Sequence, residues 1–349
     1  MTKNRLLVFL CFICLMLSFS MPAAAEEIED VALTNLVDGW PQMDEIHEAT
    51  GFVTDVDSGG VIYSKNSDTI RYPASLTKLL TALIVLENCD LKDKVVMTYT
   101  GTQMVASDST NAQTVEGEEF TVEQCLYMLL LKSANDIANQ LAEHTGGTLE
   151  HFVEMMNERA REIGCKNTHF TNPSGMPDTE HYTTAEDLAL IMKECLNNET
   201  FRKISATEAV TIPPTNKTTE NRTYTNHNAL VVTGSDYYYP CCIAGKTGYT
   251  DAAWRTFAAA AEKDGRTLVC VVLRGPDRSD FTDAAKLFDY GFNEFDRIEV
   301  PGGCVTLPRG KSLKDVTTAV VSDEEPTSVS SHMEYYYNGL LVGRGDVTE

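Results

Sequence analysis

The sequence lacks several patterns that mark metal, redox and nucleic-acid sites. It contains no H-E-x-x-H, and none of the eight cysteines after residue 25 stands in a C-x-x-C pair. Basic residues are few, with 28 lysines and arginines against 51 aspartates and glutamates, and the formal net charge is −23. A chain with this negative charge repels the phosphates of nucleic acid. We therefore do not expect nucleic acid as a partner. Low-complexity tracts and repeats are also missing, and a hydrophobic content of 43% indicates a globular chain with a sizeable core.

The first 25 residues have the pattern of a secretory signal peptide. A lysine and an arginine give a basic start, residues 6–19 are apolar, and three alanines at 23–25 offer a cleavage site of the A-x-A type. The apolar stretch is short for a transmembrane span, which makes an uncleaved anchor the weaker alternative. We therefore expect an exported, extracytoplasmic protein whose mature chain begins with an acidic lead over residues 26–48.

The cysteines do not define a disulfide framework. Cys89, Cys125 and Cys195 lie in apolar patterns of helical period, where a cysteine is most simply a small core residue. Cys241 and Cys242 are adjacent, and a bond between neighbours would be strained. An even number of cysteines in an exported chain permits disulfides, but their spacing specifies none, so the disulfide state stays open.

Strand patterns occur at both ends of the next region, with helical patterns between them. Residues 51–65 predict two short strands around a turn at 58–60, and residues 75–196 predict helices. Strands return from Ala244, two of them joined by the turn Asp264-Gly265. Because the strands come from distant segments, we expect one antiparallel sheet with an inserted helical subdomain.

The amino-acid composition changes after about residue 296. The segment 296–349 is rich in proline, glycine, serine and threonine, and Asn338-Gly339 is a hairpin signal between apolar and aromatic residues. We interpret 296–349 as a small, possibly incomplete, β domain.

Lys78 interrupts an otherwise apolar helical pattern. In SLTKLLTALIVLE (75–87), Ser75 and Lys78 lie one turn apart on one face of the predicted helix, with the amine in reach of the hydroxyl. Residues 79–86 are apolar almost all round, which indicates a buried helix. Burial lowers the pKa of a lysine, so a neutral Lys78 amine can take a proton from Ser75 and make it a nucleophile. The alternative is a first-turn serine beside a lysine whose amine extends to water.

Two further short motifs support the chemical interpretation. Ser133 and Asn135, in LLLKSANDIANQLAEH, point the same way only outside a helix, so we expect a break between helices at 132–134. Lys246-Thr247-Gly248, in AGKTGYT, places on a strand a positive charge, a hydroxyl and a glycine that permits close approach of a ligand. Serine also precedes asparagine by two at 64–66 and 109–111, where we expect solvated residues.

In this order the three motifs resemble the active site of penicillin-binding proteins and class A β-lactamases. Residues 172–192, NPSGMPDTEHYTTAEDLALIM, and 281–292, FTDAAKLFDYGF, are similar to the low-molecular-mass serine-type D-alanyl-D-alanine carboxypeptidases. The resemblance covers residues 49–295, which we interpret as the catalytic domain. It implies an α/β (α+β) fold of the β-lactamase/transpeptidase type, with a five-stranded antiparallel sheet flanked by helices and an all-helical subdomain.

The resemblance also implies a substrate and a set of catalytic roles. The substrate would be a peptidoglycan stem peptide ending in D-Ala-D-Ala, β-lactam antibiotics would bind covalently, and no cofactor or metal would be needed. Ser75 would attack the penultimate D-Ala carbonyl with Lys78 as its base. Ser133, assisted by Lys246, would relay a proton to the leaving D-alanine.

The remaining site residues would bind the substrate. Asn135 would hold the substrate amide, and Thr247 the terminal carboxylate, with Arg274 as the match for an arginine that assists there. Gly248 would let the substrate approach the strand, and the backbone N–H groups of Ser75 and Tyr249 would form the oxyanion hole.

Some features depart from the pattern of the resembled enzymes. The second motif is S-A-N where S-G-N is common, and Ala253-Trp254-Arg255 stands where many members have Ala-Gly, which predicts a differently shaped strand. No amphipathic membrane helix follows residue 295, so membrane association is not evident from this chain.

Two other functions share part of this pattern. A serine β-lactamase needs a glutamate in an E-x-x-L-N loop, and the nearest match places Glu194 only two residues before Leu196. A catalytically silent wall-binding module would have no use for a lysine buried beside a serine.

Overall fold

The computed structural model describes residues 31–106, 109–276, 278–325 and 328–347. The predicted signal peptide and the first residues of the acidic lead lie outside these ranges. From Val31 onward the described residues form one compact unit. No helix in the described part of the chain combines the length and apolarity needed to cross a bilayer.

Strands precede and follow a largely helical region, as the sequence pattern predicts, but two short strands at Lys94–Val96 and Glu119–Thr121 lie inside the region predicted to be helical. The described α-helices are α1 (Thr77–Asn88), α2 (Tyr99–Gln103), α3 (Val122–Tyr127), α4 (Asn135–Gly146), α5 (Leu149–Ile163), α6 (Ala185–Leu196), α7 (Glu199–Ser205) and α8 (Ser279–Glu294). The strands are β1 (Thr50–Asp55), β2 (Val61–Lys65), β3 (Lys94–Val96), β4 (Glu119–Thr121), β5 (Ala209–Ile212), β6 (Arg222–Thr225), β7 (Cys242–Thr250), β8 (Trp254–Lys263), β9 (Arg266–Gly275), β10 (Phe295–Val300), β11 (Gly303–Pro308), β12 (Thr317–Glu325), β13 (Ser328–Tyr337) and β14 (Leu340–Asp346).

The central sheet is antiparallel and five-stranded, in the order β2-β1-β9-β8-β7. It joins strands from both ends of the catalytic region, as predicted. The predicted turns are confirmed, because Thr54 pairs with Val61 across residues 58–60 and Lys263 pairs with Arg266 across Asp264-Gly265. The fold class predicted from the resemblance is therefore confirmed.

Both faces of the central sheet are buried, which explains the continuous apolar runs of β8 and β9. Along β9, Val269, Val271 and Leu273 face the core that contains α1, α4 and α6. Their neighbours Leu268 and Cys270 face a second core under α8. The sheet thus separates α8 from the helical subdomain, and α1 is buried at the centre of the latter, as the sequence predicted.

The lead segment covers part of the sheet. Trp40 donates its Nε1–H to the carbonyl of Ile62 at 3.0 Å and packs against Phe295. Under this cover the Lys65 amine donates to the carbonyl of Glu48 at 3.1 Å, and only 2% of Lys65 is exposed. The expectation of solvated residues at 64–66 is therefore wrong for Ser64 and Lys65, because the lead buries the end of β2.

The C-terminal segment forms a second antiparallel sheet in the order β10-β11-β14-β13-β12. Tyr337 pairs with Leu340 across Asn338-Gly339, which confirms the predicted hairpin. The eight cysteines of the described residues are all free thiols. Cys125 and Cys195 are buried core residues, as predicted, whereas Cys89 is half-buried at the end of α1.

Candidate active site

Ser75 lies in a short 3₁₀ turn, Ala74–Leu76, that leads directly into α1. The preceding residue, Ala74, has a left-handed backbone with φ of +49°, an unfavourable conformation for a residue with a Cβ. Two contacts hold it. The Thr77 hydroxyl donates to the Ala74 carbonyl at 2.9 Å, and Gly175 packs so closely that a Cβ there would lie 1.8 Å from that carbonyl oxygen. The strained turn therefore projects Ser75, which is partly exposed, out of the helix start.

Lys78 lies one helical turn after Ser75 and is fully buried. Its amine nitrogen is 3.0 Å from Ser75 Oγ, 2.6 Å from Asn135 Oδ1 and 2.5 Å from the carbonyl oxygen of Ser174. The predicted contact between Ser75 and Lys78 is confirmed, and the alternative of an amine that extends to water is wrong.

Ser133 lies at an interruption between two helices, as predicted. The helix that begins with α3 widens into a π-helical turn at Met128–Lys132, and Ser133 follows with a left-handed φ of +64° before α4 starts at Asn135. π-Helical turns of this kind often mark functional positions because they redirect side chains. Here the turn brings Ser133 Oγ to 2.9 Å from the Lys246 amine, which lies on β7.

The strand β7 lies directly against the turn that contains Ser75. A Cβ on Gly248 would be 2.9 Å from the Ser75 backbone nitrogen and 3.1 Å from the Ala74 Cβ, so only glycine fits at this position. Thr256, which faces Gly248 on β8, donates its hydroxyl to the Pro73 carbonyl at 3.1 Å. The third motif is therefore fixed next to the first.

A cleft of about 450 Å³ opens above these groups and is lined by Ser75, Asn135 and Tyr249 among others. Lys78, Ser133, Lys246 and Thr247 lie buried beneath it. Three regions distant in sequence thus meet at one cleft. Ser109 and Thr110, which we expected only to be solvated, also line the cleft.

Arg274 is placed apart from this group. It lines a neighbouring pocket of about 210 Å³ together with Ala252, which also borders the main cleft. Its guanidinium lies 5.4 Å from the ring centre of Trp254, which begins β8 with a left-handed φ of +59°. The carboxylate-binding role of Arg274 stays a prediction.

Burial lowers the pKa of both site lysines. Desolvation is the main cause at Lys78, whose pKa falls well below its ordinary value. Repulsion from Lys246 lowers it further and attraction to Asp136 opposes the shift. Burial alone lowers the pKa of Lys246 to about 7. Because two ammonium groups in one buried site repel each other, a charge on Lys246 favours the neutral form of the Lys78 amine.

Several residues of the site were not singled out from the sequence. Asn172 accepts hydrogen bonds from the backbone N–H groups of Ser174, Gly175 and Met176, and so shapes the loop whose Ser174 carbonyl contacts Lys78. Asp136 accepts from the N–H groups at 112 and 114 and holds the loop that forms the cleft rim. In the sequence, the only feature that pointed to the loop shaped by Asn172 was an asparagine before Pro-Ser-Gly, and that pattern did not predict a role for the asparagine.

The sequence profile of the D-alanyl-D-alanine carboxypeptidase family, peptidase family S11, matches residues 39–277. The chain belongs to this family. A D-alanyl-D-alanine carboxypeptidase of Mycobacterium tuberculosis is 36% identical over 249 residues, which cover 70% of this chain and 81% of the relative. One from Bacillus subtilis is 31% identical over 299 residues, or 84% of this chain and 72% of the relative.

Solved structures agree with the family assignment. The crystal structure of the Streptomyces K15 DD-transpeptidase superposes with a TM-score of 0.67 at 30% identity, covering 72% of this chain and 99% of that one. The family predicted from the three motifs is thus confirmed, and this D-alanyl-D-alanine carboxypeptidase family member shares its fold with a transpeptidase.

Proposed function

We propose that the protein is a serine D,D-carboxypeptidase that removes the terminal D-alanine from peptidoglycan stem peptides through an acyl-enzyme on Ser75. The observation that carries this proposal is the 3.0 Å contact between Ser75 Oγ and the buried amine of Lys78. The substrate lies outside the cytoplasm, so export by the signal segment at 1–25 is part of the proposal.

The contacts of Lys78 suit a neutral amine that acts as a base. A neutral amine has two N–H groups and one lone pair. The Asn135 and Ser174 oxygens accept hydrogen bonds and take the two N–H groups, at 2.6 and 2.5 Å. The lone pair then faces the Ser75 hydroxyl, which can donate its proton as the oxygen attacks the substrate carbonyl. Each polar atom around the amine has a defined partner in this arrangement.

Breakdown of the tetrahedral intermediate needs a proton on the leaving D-alanine nitrogen. The Ser133 hydroxyl accepts a hydrogen bond from the Lys246 amine at 2.9 Å. We assign to this pair the delivery of that proton, with the Ser75 and Tyr249 backbone N–H groups stabilising the oxyanion. Water then hydrolyses the acyl-enzyme.

Substrate recognition is assigned to the strand and the rim. Thr247 and the charge of Lys246 would bind the terminal carboxylate, with Arg274 assisting from the neighbouring pocket, while Asn135 would hold the substrate amide. Gly248 leaves the space in which the substrate backbone lies beside β7.

The β-lactamase alternative is not favoured by the position of Glu194. This carboxylate lies on α6 and forms an ion pair with Arg159 at 2.7 Å. The Glu194 carboxylate is thus occupied by its ion pair with Arg159. We therefore do not assign it the activation of a deacylating water.

The proposal is tested by incubating the protein with a pentapeptide ending in D-Ala-D-Ala and measuring free D-alanine. The parent should release D-alanine and be labelled stoichiometrically by a fluorescent penicillin, whereas Ser75→Ala should do neither while remaining folded. An added D-amino acid acceptor would reveal transpeptidation as a new ligated peptide. Penicillin turnover faster than D-alanine release would favour a β-lactamase, and neither activity would favour a binding module.

A further inference from the structure

His181 is a buried histidine that the proposed reaction does not use. It is 1% exposed and lies between the loop 171–176 and the start of α1. Its Nδ1 atom lies 3.1 Å from the Thr171 backbone nitrogen, which can only donate. The Asn172 side-chain amide nitrogen is also near, at 3.3 Å from Nδ1. Because donors surround Nδ1, this atom is the unprotonated acceptor, and the proton of the neutral ring is on Nε2.

The other ring nitrogen contacts the start of the catalytic helix. Nε2 lies 2.8 Å from Thr77 Oγ1. The Thr77 hydroxyl has one proton, which it donates to the Ala74 carbonyl at 2.9 Å. The His181 N–H therefore donates to Thr77, and Thr77 donates to Ala74, so that the chain of donors ends on the strained residue before Ser75.

The same histidine fixes the loop on which Lys78 depends. Thr171 and Asn172 are held at Nδ1, and the Asn172 side-chain oxygen in turn organises the turn that presents the Ser174 carbonyl to the Lys78 amine. Gly175 of this turn packs against the Ala74 carbonyl. One imidazole thus links the loop that orients the base to the turn that projects the nucleophile.

We propose that His181 is a positioning residue which, as its Nε2–H tautomer, sets the geometry of the Ser75–Lys78 pair by bonding Thr77 on one side and the loop 171–176 on the other. The inference rests on the proposed function, because the geometry matters for acylation of Ser75. It assigns a role to a side chain that touches neither the substrate nor the reacting atoms.

The surroundings of His181 favour the neutral ring. Burial, together with the charges of His169 and Lys78, lowers its pKa to about 4, and Asp178 opposes this shift. The ring of Phe170 covers one side in an edge-on contact at 5.4 Å between ring centres. A protonated ring would point its Nδ1–H at the Thr171 N–H, so acid should release the loop.

Two substitutions separate the two ends of the imidazole. Glutamine places an amide N–H near the position of Nε2 and can still donate to Thr77, whereas asparagine reaches only the position of Nδ1 and can bond only the loop. Each variant keeps one of the two bonds, so we expect both His181→Gln and His181→Asn to slow acylation by penicillin about 10- to 100-fold, since small displacements of reacting groups cost rates of that order. A near-parent rate in either folded variant would show that the bond it lacks is not needed, and would overturn the proposal.

A double-mutant cycle tests whether His181 acts through Thr77. Thr77→Val removes the hydroxyl with little change in shape and should slow acylation about as much as His181→Asn. If both belong to one chain, the double variant should be no slower than the slower single variant, within about threefold. Effects that multiply would show two independent roles and contradict the proposal.

One measurement needs neither a variant nor activity. Two-bond ¹⁵N–¹H correlation spectra of the parent at pH 7 should show a neutral His181 protonated on Nε2. A ring protonated on Nδ1, or on both nitrogens, would overturn the inference even if the variants do not fold. If the proposed function is wrong, the result is different: the parent protein will neither bind penicillin covalently nor release D-alanine.

Discussion

Gly248 packs against the backbone of Ser75, although 172 residues lie between them in the sequence. A Cβ on Gly248 would lie 2.9 Å from the Ser75 nitrogen. This contact brings the strand to which we assign substrate binding next to the N–H that we assign to the oxyanion hole. The glycine of the Lys-Thr-Gly motif therefore serves the packing of the site as well as the approach of the substrate.

We predict that Gly248→Ala lowers the rate of acylation by penicillin about 100-fold. The Thr256 hydroxyl could rotate away from the new methyl group only by losing its bond to the Pro73 carbonyl, and the Ser75 backbone nitrogen cannot rotate at all. The strand must then move away from Ser75, and displacements of this size cost about two orders of magnitude in rate. Stopped-flow acylation on protein shown to be folded by circular dichroism measures the effect.

Gly234→Ala is the matched control, because a Cβ at Gly234 meets nothing within 4 Å and its φ is not left-handed. It should acylate at the parent rate. Near-parent acylation by Gly248→Ala would show that the strand adjusts without cost, contrary to the close packing described above.

We predict that Lys78→Arg eliminates acylation even where the protein folds and still binds substrate. Arginine keeps most of the length of the side chain, but its guanidinium is permanently charged and does not give up a proton in proteins. Loss of a general base costs about 10²- to 10⁴-fold in rate. The measurement is covalent labelling by penicillin over time, compared with the parent.

A variant rate within about tenfold of the parent, equivalent to about 1.4 kcal/mol in the barrier, would contradict the general-base role. Thermal unfolding of both proteins controls for the larger side chain in the buried site.

The sequence predicted best those features that depend on local order. The hairpin of β8 and β9 has a turn at Asp264-Gly265 and long apolar runs, and Ser75 and Lys78 meet because one helical turn separates them. The hairpin follows from the turn preference of Asp-Gly, and the contact between Ser75 and Lys78 from the helical period. The burial of Lys78 was also predictable, since apolar residues surround it on all faces of the helix.

Features that depend on distant segments were not predictable. The Ser174 carbonyl contacts Lys78 across 96 residues, and no periodicity relates them. Ser109 and Thr110 looked like a solvated turn, because nothing local shows that buried Asp136 ties their loop to the cleft. The left-handed Ala74 could not be inferred either, since alanine disfavours that conformation and contacts with Gly175 and Thr77 hold it.

We predict that kcat/KM for a D-Ala-D-Ala peptide with a free carboxylate falls as pH rises above about 7. Lys246 must be charged to attract the carboxylate, and burial lowers its pKa to about 7. The protonated fraction then falls about tenfold per pH unit in the free enzyme. The profile should also fall in acid, where Lys78 becomes protonated and loses its lone pair.

The same peptide with an amidated C-terminus is the matched control. It has no carboxylate for Lys246 to attract, so its alkaline decline should be weaker. Parallel alkaline limbs for the two peptides would assign the ionisation of Lys246 to proton delivery through Ser133 and contradict its role in carboxylate binding.

We predict that Glu48→Gln stabilises the protein at alkaline pH. Glu48 is fully buried, its carboxyl accepts from the Ser279 hydroxyl at 2.8 Å, and burial together with the facing Asp283 raises its pKa to about 9. The pKa of Asp283 is lowered, so the proton of this pair resides on Glu48. Glutamine reproduces the protonated form, because it can donate to Asp283 and accept from Ser279.

The sign of the effect follows from proton binding. Below pH 4.5 the folded and unfolded forms both carry the Glu48 proton, whereas between 4.5 and about 9 only the folded form keeps it. The free energy of unfolding of the parent should therefore fall as pH rises through this window, by at most about 1.4 kcal/mol per pH unit.

The Glu48→Gln variant has no proton to lose at this position. In urea titrations it should match the parent at pH 4 and exceed it by about 1–3 kcal/mol at pH 8. Glu45→Gln, which changes an exposed carboxylate of the same segment, should show no such difference. A Glu48→Gln protein that is less stable than the parent at pH 8 would mean that the carboxylate is ionised in the fold, with Asp283 and its neighbours rearranged around two charges.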